Sequence, residues 1–116
     1  MMWSVDEEVD IATLLALGAE AQRRGETDRA VELYEKVASE LEERDADLNA
    51  LPLWAAILTM RPDRRDLRFR LGQCSAKLFM FDRARRELQR VMEESSLAGD
   101  GRLHDRAAMA LYGLAE

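Results

Sequence analysis

The residue types best suited to catalysis are scarce in this chain. Its one histidine, His104, stands beside Asp105, and its one cysteine, Cys74, shares a helical stripe with Leu67, Leu71 and Leu78. A nucleophile needs a base within hydrogen-bond reach, and no recognisable motif places a Ser or Cys near His104. His104 therefore reads as a solvated histidine near a helix start, and Cys74 as a small core residue. A single Cys excludes a disulfide framework, one His with one Cys excludes a His/Cys zinc site, and no glycine-rich phosphate loop is present. The expectation is a protein that is not an enzyme and holds no metal or cofactor.

Charge is more informative. Residues 1–60 carry a net −9, residues 61–90 a net +6 and residues 91–116 a net −3, for a total of −6. Nonspecific nucleic-acid binding follows the number of phosphates neutralised, so an acidic chain with pI near 4.9 is a poor candidate for it. The basic middle, Arg61, Arg64, Arg65, Arg68, Arg70, Arg83, Arg85, Arg86 and Arg90, reads as a solvated face paired with the acidic second helix. Because Arg suits bidentate carboxylate contacts, its functional alternative is docking of an acidic partner segment. With 116 residues, 47% of them apolar, the chain is long enough for one domain, 1–116. No run of 18 apolar residues exists and residues 1–10 lack the features of a secretory signal, so a soluble, cytoplasmic protein without membrane insertion is expected.

The elements that must position these residues are helical. Ala, Leu, Glu and Arg dominate, and β-branched residues never alternate with period two, which predicts an all-α fold of about six antiparallel helices. Ser4 and Glu7 have the form of a capping box for a first helix that runs to about Arg24 and stops at Gly25. Thr27 or Asp28 can cap a second, to about Arg44, with Asp45–Asn49 as the turn. Pro52 and Pro62 bracket a short third helix, about Asn49–Met60, because Pro is tolerated in a first turn and disfavours α geometry in the residue before it. Asp63 or Asp66 caps a fourth with Leu67, Leu71, Cys74 and Leu78 inward. A fifth holds Ala84, Leu88, Val91 and Met92, and after a loop, Ser95–Gly101, a sixth runs His104–Leu114.

Two stretches repeat one pattern. Leu17-Gly18-Ala19-Glu20-Ala21 is followed by Gly25, Ala30, Tyr34 and Val37, and Leu71-Gly72-Gln73-Cys74-Ser75 by Phe81, Ala84, Leu88 and Val91. Each resembles a unit of the tetratricopeptide repeat, in which a small residue of the first helix meets an early Ala of the second. The resemblance pairs Gly18 with Ala30 and Gly72 with Ala84. Pro62 closes an intermediate unit in which Ala50, Trp54 and Ile57 take second-helix positions. The implied array has units near 10–44, a partial one at 48–62, another at 65–95 and a capping helix at 103–115. It is irregular in the middle, because the two Leu-Gly pairs are 54 residues apart where two repeats would separate them by about 68. Either the second helix serves two units, or Asp45–Asn49 is the remnant of a deleted helix.

The resemblance also assigns a partner-binding groove. In the first unit it falls on Ala12, Leu15, Ala16, Ala19, Gln22 and Arg23, and in the later one on Asp66, Phe69, Arg70, Gln73, Ala76 and Lys77. The first set lacks the Lys and Asn with which chaperone-tail-binding members clamp a terminal carboxylate. Lined by Leu15, Ala16, Ala19 and Phe69, such a groove suits an apolar segment or amphipathic helix of a protein partner, unless the sixth helix or the N-terminal residues fill it. Trp54 and Met92 sit on inward positions, whereas Phe79 and Met80 fall in a turn, where an exposed Phe would mark a contact patch. The expected function is a small adaptor or chaperone. A homo-oligomerising structural module is the alternative. Phe69, Leu71-Gly72, Cys74 and Phe81 also resemble a local pattern of the helical-repeat chaperones of bacterial type III secretion.

Overall fold

Four turns of the chain close with one hydrogen-bond pattern, and that pattern fixes the helices between them. The computed structural model describes residues 10–115. After α1 (Ile11–Arg23), Gly25 takes φ 75° and the Glu26 N–H donates back to the Ala21 carbonyl at 2.9 Å. The same reach-back ends α2 (Thr27–Glu43) with Ala46 to Leu41 at 2.8 Å, and α4 (Arg65–Lys77) with Met80 to Ser75 at 2.9 Å. It ends α5 (Phe81–Ala98) with Asp100 to Ser95 at 2.8 Å. Each bond satisfies a carbonyl that a helix end would otherwise leave bare. With α3 (Asp47–Met60) and α6 (Gly101–Ala115), the described residues form six helices and no strand.

The helix starts depart from the sequence expectations. The Ser4–Glu7 capping box lies outside the described residues. The first described helix is capped by Asp10, whose carboxylate accepts from the Thr13 backbone N–H at 3.2 Å and from its hydroxyl at 2.6 Å. Thr27 and Asp28 are already helical, and Glu26 at the cap position makes no side-chain cap bond. Neither Asp63 nor Asp66 caps α4: Arg64 holds that position and instead grips Asp66 with two hydrogen bonds of 3.1 and 3.0 Å. The loop expected over Ser95–Gly101 is shorter, because α5 continues to Ala98 and Asp100 caps α6 by accepting from the Leu103 N–H at 3.1 Å.

The turn expected over Asp45–Asn49 is shorter. α3 begins at Asp47, inside the expected turn, so Pro52 lies within the helix and beyond its first turn. The carbonyl deprived of a donor belongs to Leu48, which shares the exposed face with Pro52 and can be served by solvent. Helices begin at 11, 27 and 47 and again at 65, 81 and 101. The 54-residue spacing is therefore the length of three helices. The left-handed residues obey it too: Gly25 (φ 75°) answers Phe79 (φ 62°), and Asp45 (φ 60°) answers Gly99 (φ 78°).

The chain divides into two compact units, Met1–Leu53 and Trp54–Glu116. In the first, α1 packs on α2, with Gly18, Ala21, Ala30, Val31, Tyr34 and Val37 buried. In the second, α5 packs on both α4 and α6, around Phe69, Leu88, Val91, Leu103 and Ala107. Trp54 and Cys74 are buried there, and Met92 is partly buried against the cluster, as their inward spacing implied. The repeat glycines do their work one turn away from the expected partners. A Cβ on Gly18 would sit 2.7 Å from the Tyr34 ring, and one on Gly72 would sit 2.8 Å from Leu88, each four residues beyond Ala30 or Ala84.

Candidate functional site

On α1 the expected groove set divides by burial. Ala12, Ala16, Gln22 and Arg23 are exposed, while Leu15 and Ala19 are half-buried. Ala12, Ala16 and Ala19 follow one another at i, i+4 and i+7, so a strip of short side chains runs along one face beside Leu15. Its far end is polar and held in place. Gln22 accepts from the Tyr34 hydroxyl at 3.0 Å, and Arg23 pairs with Glu20, which also takes Arg24 at 2.8 Å. These two arginines, Arg23 first, hold the Glu20 carboxyl below its usual range.

On α4 the same assignment needs correction. Phe69 is 3% exposed, enclosed by Leu88, Val91, Leu103 and Ala107, with the Arg106 guanidinium 4.6 Å from its ring centroid. It is core beneath α6, which covers this position as one of the sequence alternatives had it, and it lines no groove. Arg70 is half-buried and stacks over Trp54 at 4.6 Å. Gln73 and Lys77 remain exposed. Asp66 lies at the start of this face with its carboxyl held below the usual aspartate range, chiefly by the Arg64 hydrogen bonds.

The turn between α4 and α5 carries an apolar patch. Phe79 is 78% exposed, its ring meets that of Phe81 edge-on at 5.9 Å between centroids, and Met80 between them is also exposed. A bulky side chain with φ 62° is uncommon, and exposure adds no packing energy to offset the strain. Exposed apolar side chains that sequence reasoning passed over are Leu48, Leu97, Met109 and Tyr112. Met109 and Tyr112 stand three residues apart on the face of α6 opposite Leu103 and Ala107, a spacing visible in the sequence.

Four arginines of the basic middle have partners close by in the chain or on the neighbouring helix. Arg64 pairs with Asp66, Arg85 with Asp82, Arg90 with Glu94 and Arg68 with Glu87. All but the last are exposed pairs of small individual worth. Arg68 is buried, and it donates to Glu87 at 2.9 Å and to the Pro62 carbonyl at 3.2 Å. His104 Nδ1 lies 3.2 Å from Asp105 Oδ1, at the first turn of α6. No helix among the described residues is long and apolar enough to cross a membrane.

Two helices that meet through a glycine, repeated along a chain with antiparallel neighbours, define the tetratricopeptide-like class of helical repeat, and that is the fold here. Neither a family model nor a curated protein matches the chain. Among solved structures it is similar to PcrH from Pseudomonas aeruginosa, with a TM-score of 0.63 at 16% identity over 99% of this chain and 96% of that one. It is also similar to PcrH in complex with the chaperone binding region of PopB, with a TM-score of 0.58 at 16% identity over 92% and 96% of the two chains. MamA (MSR-1 C2) aligns at a TM-score of 0.43 and 22% identity, over 97% of this chain and 78% of that one.

Proposed function

We propose that the chain is a small non-catalytic adaptor or chaperone that holds an apolar, helical or extended segment of a partner protein. The observation that carries this reading is the strip of exposed Ala12 and Ala16 and half-buried Ala19 beside half-buried Leu15 on α1. Short side chains let another chain's backbone approach closely, and Leu15 offers it an apolar seat. The end-to-end likeness to PcrH, a fold solved with a bound segment of PopB, supports the same use of the scaffold. The exposed Phe79 adds an aromatic anchor of the kind that interfaces favour. Residence in the cytoplasm belongs to this reading. So does a finer one, a holding chaperone of type III secretion.

The test is capture of a stoichiometric partner by the tagged chain from its native extract, followed by light scattering of the complex. Ala16→Glu should abolish capture and leave the helical CD signal unchanged, since Ala16 is exposed. A stable homo-oligomer that persists on dilution and captures nothing would favour a self-assembling structural module. A complex that dissolves steeply with salt would instead indicate phosphate contacts.

A further inference from the structure

The second unit holds a pocket of about 310 Å3 between the C-terminal half of α3, α4 and α5, walled on one side by Leu58 and Leu71. Its charged lining is Arg68, Arg83, Glu87 and Arg90, and its one neutral polar side chain, Thr59, donates to the Ala55 carbonyl at 3.1 Å. Glu87 answers Arg68 at 2.9 Å, and Arg90 donates to Glu94 at 3.0 Å. Arg83 has no hydrogen-bond or ion-pair partner among the described residues, although it is half-buried and shares a face of α5 with Glu87 and Arg90. One positive charge is thus left over beside an apolar wall. The Arg68 Nε, buried and without a hydrogen-bond partner, adds an unused donor to the same lining side chain.

Comparison with the other half shows that the fold does not need this arrangement. Fifty-four residues earlier, Leu14 and Leu33 stand where Arg68 and Glu87 stand here. Burying an ion pair where an apolar pair serves is often neutral or unfavourable for stability, so packing alone does not call for this one. We infer that this pocket binds one carboxylate of an acidic segment of a partner protein, with Arg83 as its bidentate ligand and a neighbouring apolar side chain of that segment against Leu58 and Leu71. A phosphate dianion fits less well, because Glu87 opposes a second negative charge. The inference rests on the protein-binding reading but uses residues separate from the α1 strip.

The probes are three acetylated tripeptides and inorganic phosphate, followed through the Arg Nε–H and backbone amide NMR signals of the full chain. Leu-Glu-Leu amide presents a side-chain carboxylate, Leu-Gln-Leu acid a terminal one, and Leu-Gln-Leu amide neither. The expected result is that one or both carboxylate peptides shift the Arg83 Nε–H signal and the Arg83 to Arg90 amides, the responding arm naming the source. Arg83→Gln should weaken that binding at least tenfold, while Arg86→Gln, at an exposed arginine of the same helix without a partner among the described residues, should leave it unchanged. Equal binding of Leu-Gln-Leu amide, equal or tighter binding of phosphate, or equal weakening by Arg86→Gln would overturn the assignment. Absence of any peptide binding overturns the pocket alone if capture of a partner still depends on Ala16.

Discussion

Leu15 and Phe69 stand at the same step of equivalent helices, 54 residues apart, yet Leu15 is half-buried and Phe69 is sealed beneath α6. Their neighbours diverge in the same sense. Leu17 is 42% exposed where Leu71 is 2% exposed, and exposed Ala16 corresponds to Arg70, which is stacked on Trp54. The turns and helix lengths are shared by both halves; the use of the first helix's face is not. A repeated backbone can therefore keep one face for packing and release its counterpart for a partner, because the turn bonds, not that face, set the helix register.

The largest expected contrast is between truncations of that pair. Phe69→Ala empties a fully enclosed site and should cost about 3–5 kcal/mol, whereas Leu15→Ala, already partly wet, should cost closer to about 1 kcal/mol. Urea midpoints of the two variants would show it, and equal losses would place Leu15 in the core. Collapse of the CD signal by Leu15→Asp would say the same.

The glycines give the next contrast. Gly72→Ala drives a Cβ to 2.8 Å from the branch carbon of Leu88, which is fully packed, and should cost about 1–3 kcal/mol. Gly18→Ala drives a Cβ to 2.7 Å from the edge of the Tyr34 ring, which is held through its hydroxyl by Gln22 but is less enclosed than Leu88, so its cost should be smaller, about 1 kcal/mol. Thermal melts of both proteins decide whether the two contacts differ as described. Gly72→Leu should prevent the second unit from folding.

At the turns the signs should reverse. Phe79→Gly relieves a left-handed phenylalanine and should raise stability by about 1 kcal/mol, while Gly25→Ala at the corresponding turn should lower it by a similar amount. If Phe79→Gly also weakens partner capture, the strained residue is kept for contact.

The smallest effect concerns Asp66, whose carboxyl is lowered chiefly by Arg64. A carboxyl depressed in the folded state stabilises above its unfolded pKa, and that gain fades as pH falls through the folded value. The pair is largely exposed, so Asp66→Asn should cost only a few tenths of a kcal/mol at neutral pH and nothing below the ordinary aspartate range. A pH series of denaturation midpoints for the two proteins checks it.

The helices, their inward stripes and the positions of the close-packed glycines were legible because period and small residues are local signals, although the glycines' partners lie one turn beyond the expected alanines. The caps were not: Glu26 and Arg64 occupy cap positions without cap chemistry, and the reach-back bonds that end the helices tolerate Asp45 and Phe79 as well as glycine. Pro52 misled for a physical reason, since its missing N–H matters little on a wet face. In the candidate site, the small strip on α1 came from the repeat resemblance, whereas the enclosure of Phe69 depended on α6, and the Arg68–Glu87 pair on two helices meeting.

The matching left-handed residues at 25 and 79 and at 45 and 99 make the chain modular in a quantised way. A duplication or excision of 54 residues carries each of these turns onto its counterpart, and one of 34 residues, the usual repeat length, carries the turn at Phe79 onto that at Asp45, where the reach-back bond is the same. A natural or engineered variant of this scaffold should therefore lengthen in steps that carry one of these turns onto another.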